Sequence, residues 1–454
     1  GCGKMVGKDR ALSVCEAAIS ACGADAAEAV LMLETDSLTR FANSEIHQNT
    51  TVDSAELLVR AVLGTREGWA SANQIASDAV REAATRAVQM ARVQPENPEA
   101  PGLADPAEYE EAEGYDEQTH SFTPAQRAQA VSRIIRQADA HRLNASGSLR
   151  TRTTEVAVAN SKGVRAWARG TDASLITVVT TGFESDAGSG YAEAASRRVG
   201  DLDLEAMGAT AVRKCLAARH PGDVEPGEYV VVMEPSAVAT ALQMLAYMGM
   251  NGISFIEGRS YASGRLGTKV TSEMVTVVDD WRDPDTSPLP FDFEGVPRQR
   301  VTLIDRGIAS AMIYDRTAAA RANARSTGHA VPGGGMPGGY PLHLSMNAGD
   351  STIREMVAGT ERGIYITRFN YANPVHPVKT IFTGMTKDGT FMIEDGRIGR
   401  PLRNLRFTDS ILDGLFASIT AISCDTGLLP TGNGMSIYRA PAIRARLRIT
   451  GSTV

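Results

Sequence analysis

An α+β protein is expected from the sequence: an N-terminal α/β sandwich-like domain over residues 1–220, then a mostly antiparallel β domain over 221–454. Three observations predict it. In the first half, apolar residues at helical spacing alternate with period-two stretches that suit strands. Beyond it the pattern changes to many short strands separated by Gly, Asp and Pro. Between the two, Arg219-His220-Pro221-Gly222 and Glu225-Pro226-Gly227 mark the domain boundary. A length of 454 residues exceeds what one average core organises, so two or three domains are the natural number.

Taken in order, residues 8–23 carry an Ala-rich amphipathic pattern, and 29–33 and 38–48 alternate as strands do. Ala55 to Leu63 alternates again and runs into Gly64-Thr65-Arg66-Glu67-Gly68, which suits a hairpin or bulged turn. From Ser71 to Val93, Ile75, Val80, Ala83, Ala84, Ala87, Val88 and Ala91 recur at helical spacing, and Pro95 stops the helix. Residues 94–120 hold nine acidic side chains, no Lys or Arg, and four prolines, the composition of an irregular surface excursion. Thr123-Pro124 supplies an N-cap followed by proline at the first helical position, opening a helix to about Ala140. Val156 and Val158, the turn Asn160-Ser161-Lys162-Gly163, and Val164 to Trp167 read as a hairpin, with Leu175 to Thr181 as the best central strand. A helix from about Leu204 to Ala218 completes the half. Further on, Pro332 to Gly339 holds seven Gly and Pro in eight positions and reads as a flexible loop.

Composition excludes several classes. A net charge of -7 and a pI near 5.6 argue against general nucleic-acid binding, which needs clustered cations. Arg439, Arg444, Arg446 and Arg448 alternate along one terminal strand, as on a solvated face. No apolar run of about 18 residues suits a membrane span. No stretch of signal-peptide length stands near the N-terminus, so a cytoplasmic protein is expected. Cys2, Cys15, Cys22, Cys215 and Cys424 are odd in number and lack CxxC spacing, which suggests reduced, mostly buried thiols.

The run Ala241 to Gly252, then Gly258-Arg259-Ser260-Tyr261-Ala262-Ser263-Gly264-Arg265-Leu266-Gly267 and Val275 to Asp280, resembles the C-terminal domain of the TldD/PmbA (TldE) family. So do Thr39 to Asn49 with Gly64 to Ala70, Phe291 to Val296, Arg325-Ser326-Thr327-Gly328-His329-Ala330, and Phe382-Thr383-Gly384 with Gly389 to Ile398. Each motif is weak, but their order over roughly residues 30–450 is specific. The zinc-bearing side of that family carries HExxxH on a helix; the aligned positions here are Gln243 to Met248, with Gln243, Met244 and Met248 in place of the two histidines and the glutamate. The resemblance is therefore to the zinc-lacking TldE/PmbA side. An amide is a poor zinc ligand and a thioether suits softer metals, and none of the seven histidines pairs with another at i+3, i+4 or i+5.

The resemblance implies a non-catalytic subunit of a heterodimeric zinc metalloprotease acting on small or unfolded peptides, including natural-product precursors. Zinc is then expected in a TldD-like partner, with no metal and no cofactor in this chain, and with neither nucleic acid nor membrane as a partner. Two alternatives stay open: a self-sufficient, homodimeric, metal-independent hydrolase, and a non-enzymatic peptide-binding or regulatory protein. Cys424 lies near where the catalytic member supplies a cysteine ligand and is either a structural thiol or a ligand or nucleophile. His329 and His376, each held by Gly or Pro neighbours, are the candidate catalytic imidazoles; either is equally readable as a turn histidine. Arg40, Asn43 and His47 on an expected strand from Arg40 to Asn49, together with Ser260, are the candidates for gripping a peptide, which sheet edges bind by strand addition.

Overall fold

The computed structural model describes residues 4–432 and 436–453; Cys2 lies outside them. Six strands, β1 (Ala26–Ala42), β2 (Glu45–Leu63), β3 (Arg66–Ala72), β4 (Asn144–Asn160), β5 (Arg165–Thr180) and β6 (Ser189–Ser196), form an antiparallel sheet in the order β3-β2-β1-β4-β5-β6. Side chains alternate across a strand, so one face of this sheet packs under helices and the other faces the second half of the chain. The helices are α1 (Lys8–Cys22), α2 (Ser77–Val93), the single turn α3 (Glu117–His120), α4 (Pro124–Asp139) and α5 (Leu204–Ala217). Leu31, Leu33, Leu57 and Val59 form one core with α1 and α2, while Leu149, Leu175 and Val179 form another with α4 and α5.

Local chemistry explains most of these boundaries. Thr123 and Gln126 make a reciprocal capping box at the start of α4, and Gly23 closes α1 in the left-handed conformation. α2 packs so closely on β3 that a Cβ on Gly68 would lie 2.1 Å from the Ala87 carbonyl oxygen.

Several expectations need correction. The span Arg40 to Asn49 is not one strand: Asn43 and Ser44 both have positive φ and turn β1 into β2, the geometry of a tight hairpin. Helix α2 starts at Ser77, because Ser71 and Ala72 still pair with β2. β5 is one strand in from the edge, and β1 and β4 are the central pair. The acidic stretch is irregular, but it also straps the two halves together. Leu103 and Ala104 are buried, and the Tyr109 hydroxyl donates to Gly295 O at 2.6 Å.

The second sheet begins at β7 (Gly227–Met233), which runs into α6 (Pro235–Tyr247). Its other strands are β8 (Val277–Asp279), β9 (Val301–Asp305), β10 (Ile308–Ala309), β11 (Leu344–Met346), β12 (Arg362–His376), β13 (Ile381–Glu394), β14 (Arg397–Pro401), β15 (Leu405–Ser410), β16 (Ala421–Pro430) and β17 (Ile437–Ser452). Most pairings are antiparallel, with β12–β7 and β11–β17 parallel. The path β17-β15-β13-β12-β7 closes on itself, since β7 also pairs with β17 from Ile443↔Met233 to Ile449↔Gly227. Closure leaves these five strands without a free edge among themselves, while β10, β14 and β16 remain at the margins of the sheet. Phe369, Phe382 and Phe407 fill the interior with ring centroids 4.4–5.9 Å apart. Not all strands are short, as β12, β13 and β17 have 14–16 residues. The Pro332–Gly339 loop is anchored rather than loose: Gly339 lies so near the His329 carbonyl that a Cβ would approach it to 2.5 Å.

Candidate functional site

The face of the first sheet away from its helices forms the floor of a cavity of about 600 Å³, roofed by the second half of the chain. Asp36 from β1, Arg150 and Arg152 from β4 and Asp172 from β5 line the floor, with Ser287, Phe293, Leu342, His343 and Pro430 opposite. Arg150 grips Asp36 with two hydrogen bonds of 2.6 and 2.8 Å, and Arg152 donates to Asp172 at 2.9 Å. Glu34 lies within 3.8 Å of both arginines. This cross-strand ladder leaves the floor polar, with opposite charges paired across neighbouring strands.

His343 is the one histidine among the described residues that lines this cavity. Its Nε2 lies 3.0 Å from Ser287 O, so Nε2 carries the proton and Nδ1 is an acceptor with no hydrogen-bond partner. Burial pushes its pKa down, so the ring is neutral at neutral pH.

A smaller cavity of about 220 Å³ adjoins the first, sharing Ile176 and the Pro430–Gly432 segment. One face of α6 lines it through Ser236, Thr240 and Gln243, spaced as i, i+4 and i+7. Behind that face Met244, Leu245 and Met248 are buried. α6 ends at Tyr247, leaving Met248 as its C-cap. The residues present do not fit a zinc ion: Gln243 offers an amide, and the Met248 thioether is in the core. Among the described residues no group of three or more His, Cys, Asp or Glu is arranged to hold a metal.

The residues singled out from sequence do not converge. His329 is fully buried, with Nε2 2.8 Å from Asp279 Oδ1 and Nδ1 2.8 Å from Thr327 Oγ1. The trio has the connectivity of a catalytic triad, but the Thr327 hydroxyl is already held by the Tyr314 backbone, so it braces the fold. Ser260 is also fully buried, bonded to Gly249 O and Ala262 N, and offers a ligand nothing. Arg40, Asn43 and His47 sit at the β1–β2 tip, where Arg40 and His47 line a shallow depression with Ser146 to Ser148. His376 lies at the exposed end of β12, accepting from Lys379 N at 3.3 Å.

Cys15, Cys22 and Cys215 are buried, and burial pushes their thiols up to about 12, 11 and 11. Cys424 is exposed, outside the lining of both cavities, and no hydrogen bond joins it to a histidine among the described residues. Cys424→Ala is therefore expected to change stability by less than about 0.5 kcal/mol. In native protein only Cys424 among these four thiols is expected to react with a disulfide reagent; a native titre above one among them would contradict this placement.

Where the two halves meet, Glu28 is buried with neither carboxylate oxygen hydrogen-bonded. Arg60 stands 3.7 Å away but is engaged by Glu67. Burial, offset only partly by Arg60, raises Glu28 to about 7, and burial also lifts Glu294 across the junction, with Asp292 and Glu28 adding to the rise. A carboxyl raised in the folded state contributes stability below its unfolded pKa and loses it as pH rises through the folded value. Glu28→Gln is therefore expected to raise stability at pH 8 by about 2–3 kcal/mol and to change it little at pH 4.5. The lowered pKa of His343 acts oppositely, removing stability as pH falls below about 6.5 in both proteins. Urea unfolding at the two pH values measures the difference, and equal effects at both would contradict the assignment.

The known proteins that this chain resembles agree on the fold. Three consecutive family models match: PmbA/TldA metallopeptidase domain 1 over residues 27–91, the central domain over 96–219 and the C-terminal domain over 226–451. TldE from Thermococcus kodakarensis superposes with a TM-score of 0.88 at 21% identity, covering 96% of this chain and 99% of that one. A Thermotoga maritima structure described as a candidate modulator of a DNA gyrase gives 0.82 at 18% identity, covering 94% and 96%. In sequence, a metalloprotease of Methanothermobacter thermautotrophicus is 24% identical over 60% of each chain. A TldD homologue of Haemophilus influenzae is 28% identical over 45% of this chain and 42% of its own length. The aligned part thus spans about half the length of these curated relatives.

Proposed function

The chain belongs to the PmbA/TldD metallopeptidase family, and we propose that within it this chain is a TldE-like subunit without a zinc site of its own. It pairs with a zinc-bearing TldD-like chain, and the pair cleaves small or unfolded peptides, natural-product precursors among them. The observation that carries the reading is what α6 presents: hydroxyls and an amide toward the cavity, thioethers buried behind. Zinc, its ligands and the general base come from the partner. This chain contributes chamber wall and grip, through the paired ladder of Asp36, Arg150, Arg152 and Asp172.

The similarity of the fold to TldE and the metalloprotease names of the relatives support this division of labour. The reading is tested by mixing the purified chain with a zinc-bearing family member from the same organism. Cleavage of an unfolded peptide that requires both chains and stops in chelator is the expected result. Cleavage by this chain alone in excess chelator would favour a self-sufficient hydrolase.

A further inference from the structure

The smaller cavity holds a carboxyl group that no cation neutralises. Glu193 on β6 turns toward α6, where its Oε2 accepts from the Tyr191 hydroxyl at 2.7 Å and the Ser236 hydroxyl also donates to it. Among the described residues no Lys, Arg or His stands within ion-pair distance. The cations nearby are engaged elsewhere. Arg368 is paired with Asp388 and its guanidinium stacks 4.1 Å over the Tyr191 ring. Lys214 is held by Glu234 at 2.5 Å and by Thr367. Glu193 thus has no ion-pair partner in this cavity, and it comes from the first sheet while α6 on the opposite wall comes from the second half.

The rest of the wall says what it would take. Thr240 and Gln243 add oxygen acceptors, Ala239, Phe369 and Leu429 add an apolar side, and Arg368, its charge already taken by Asp388, completes the wall. A carboxylate, further acceptors and a short apolar surface in about 220 Å³ match a compact cation on a carbon stem better than a planar guanidinium or a metal ion, which needs more than one carboxylate. We propose that this cavity binds a primary ammonium group, with Glu193 as its counter-ion. On the peptide-chamber reading, on which only the source of the group rests, that ammonium is either the start of a peptide chain or a lysine side chain.

Burial raises the pKa of Glu193, with Tyr191, Ser236 and Arg368 opposing the rise. Pairing with R-NH3⁺ acts against burial and favours the carboxylate.

Two small cations serve as probes of the full-length chain by titration calorimetry: alaninamide for a chain start and n-butylammonium for lysine. N-acetylalaninamide and n-butanol are their neutral counterparts. At least one cation is expected to bind with saturation and at least ten-fold more tightly than its counterpart. Glu193→Gln should weaken it at least ten-fold, and Thr240→Leu, which fills the cavity from α6, should do the same. Binding of alaninamide alone or butylammonium alone names the source; binding of both shows a pocket that accepts either. Equal binding of cations and neutral counterparts, or full binding by Glu193→Gln, would overturn the proposal. Ammonium binding without two-chain peptide cleavage would sink the subunit reading and leave the pocket standing; the converse would do the reverse.

Discussion

Asp279→Ala is expected to destabilise the protein by about 3–5 kcal/mol, the cost of leaving two buried hydrogen-bond donors without their carboxylate. Asp279 is fully buried on β8. One oxygen lies 2.8 Å from His329 Nε2 and the other accepts the His343 backbone N–H at 2.8 Å. Burial by itself would raise its pKa, but the two histidines more than offset this and hold it below the usual carboxylate range. The carboxylate thus fixes both the His329 segment and the strand entry that carries His343 to the cavity wall. Alanine leaves two buried N–H groups without acceptors. Asp279→Asn keeps the shape but turns an amide NH2, itself a donor, toward one of those donors, so an intermediate loss is expected. Urea midpoints at unchanged slope measure both. A loss under 1 kcal/mol for alanine would show that these bonds do not organise the wall.

Arg127→Ala is expected to cost about 3–4 kcal/mol and to loosen the outer part of the β1–β2 hairpin first. Arg127 is fully buried on α4 and meets only neutral oxygens. Nε donates to Thr39 Oγ1 at 3.2 Å, Nη1 to Phe122 O at 2.9 Å, and Nη2 reaches Asn49, Thr50 and Thr51 at 3.4–3.5 Å. Burial lowers its pKa, and the Asp36 carboxylate pulls the other way. Alanine strands those acceptors and opens a void beneath the hairpin. Arg127→Lys should recover less than half of the loss, since one ammonium cannot span acceptors that a planar fork reaches. Hydrogen exchange should show Leu38 to Thr51 opening before α1 and α2. Uniform loss of protection across the first sheet would contradict the local role.

What the sequence makes legible is local, and what it hides is distant. The N-cap at Thr123, the Gly64 turn and the helix from Leu204 all rest on neighbours within a few residues, and all are found in the structure. Glu34, Asp36, Arg150 and Arg152 alternate along their strands in a way that reads as a solvated sheet face. Only the packing of the second half over that face makes it a cavity floor. Asp279 and His329 are 50 residues apart, and nothing near either announces the other. Arg127 looks like any exposed helical arginine until β2 folds over it. Glu193 could have been noticed as an acidic residue in an Ala-rich strand; its partners Tyr191 and Ser236 span the two halves. The misreading of Arg40 to Asn49 had a local cause: Asn43-Ser44 lacks the glycine that usually marks so tight a turn.

The central claim is that this chain carries no zinc site and works beside one that does. The most direct measurement is co-purification from the native host, followed by elemental analysis of each separated chain after dialysis. The account predicts well under one metal per copy of this chain and close to one zinc on its partner. A tightly held, near-unity zinc on this chain would contradict the assignment of α6 and with it the division of labour proposed above.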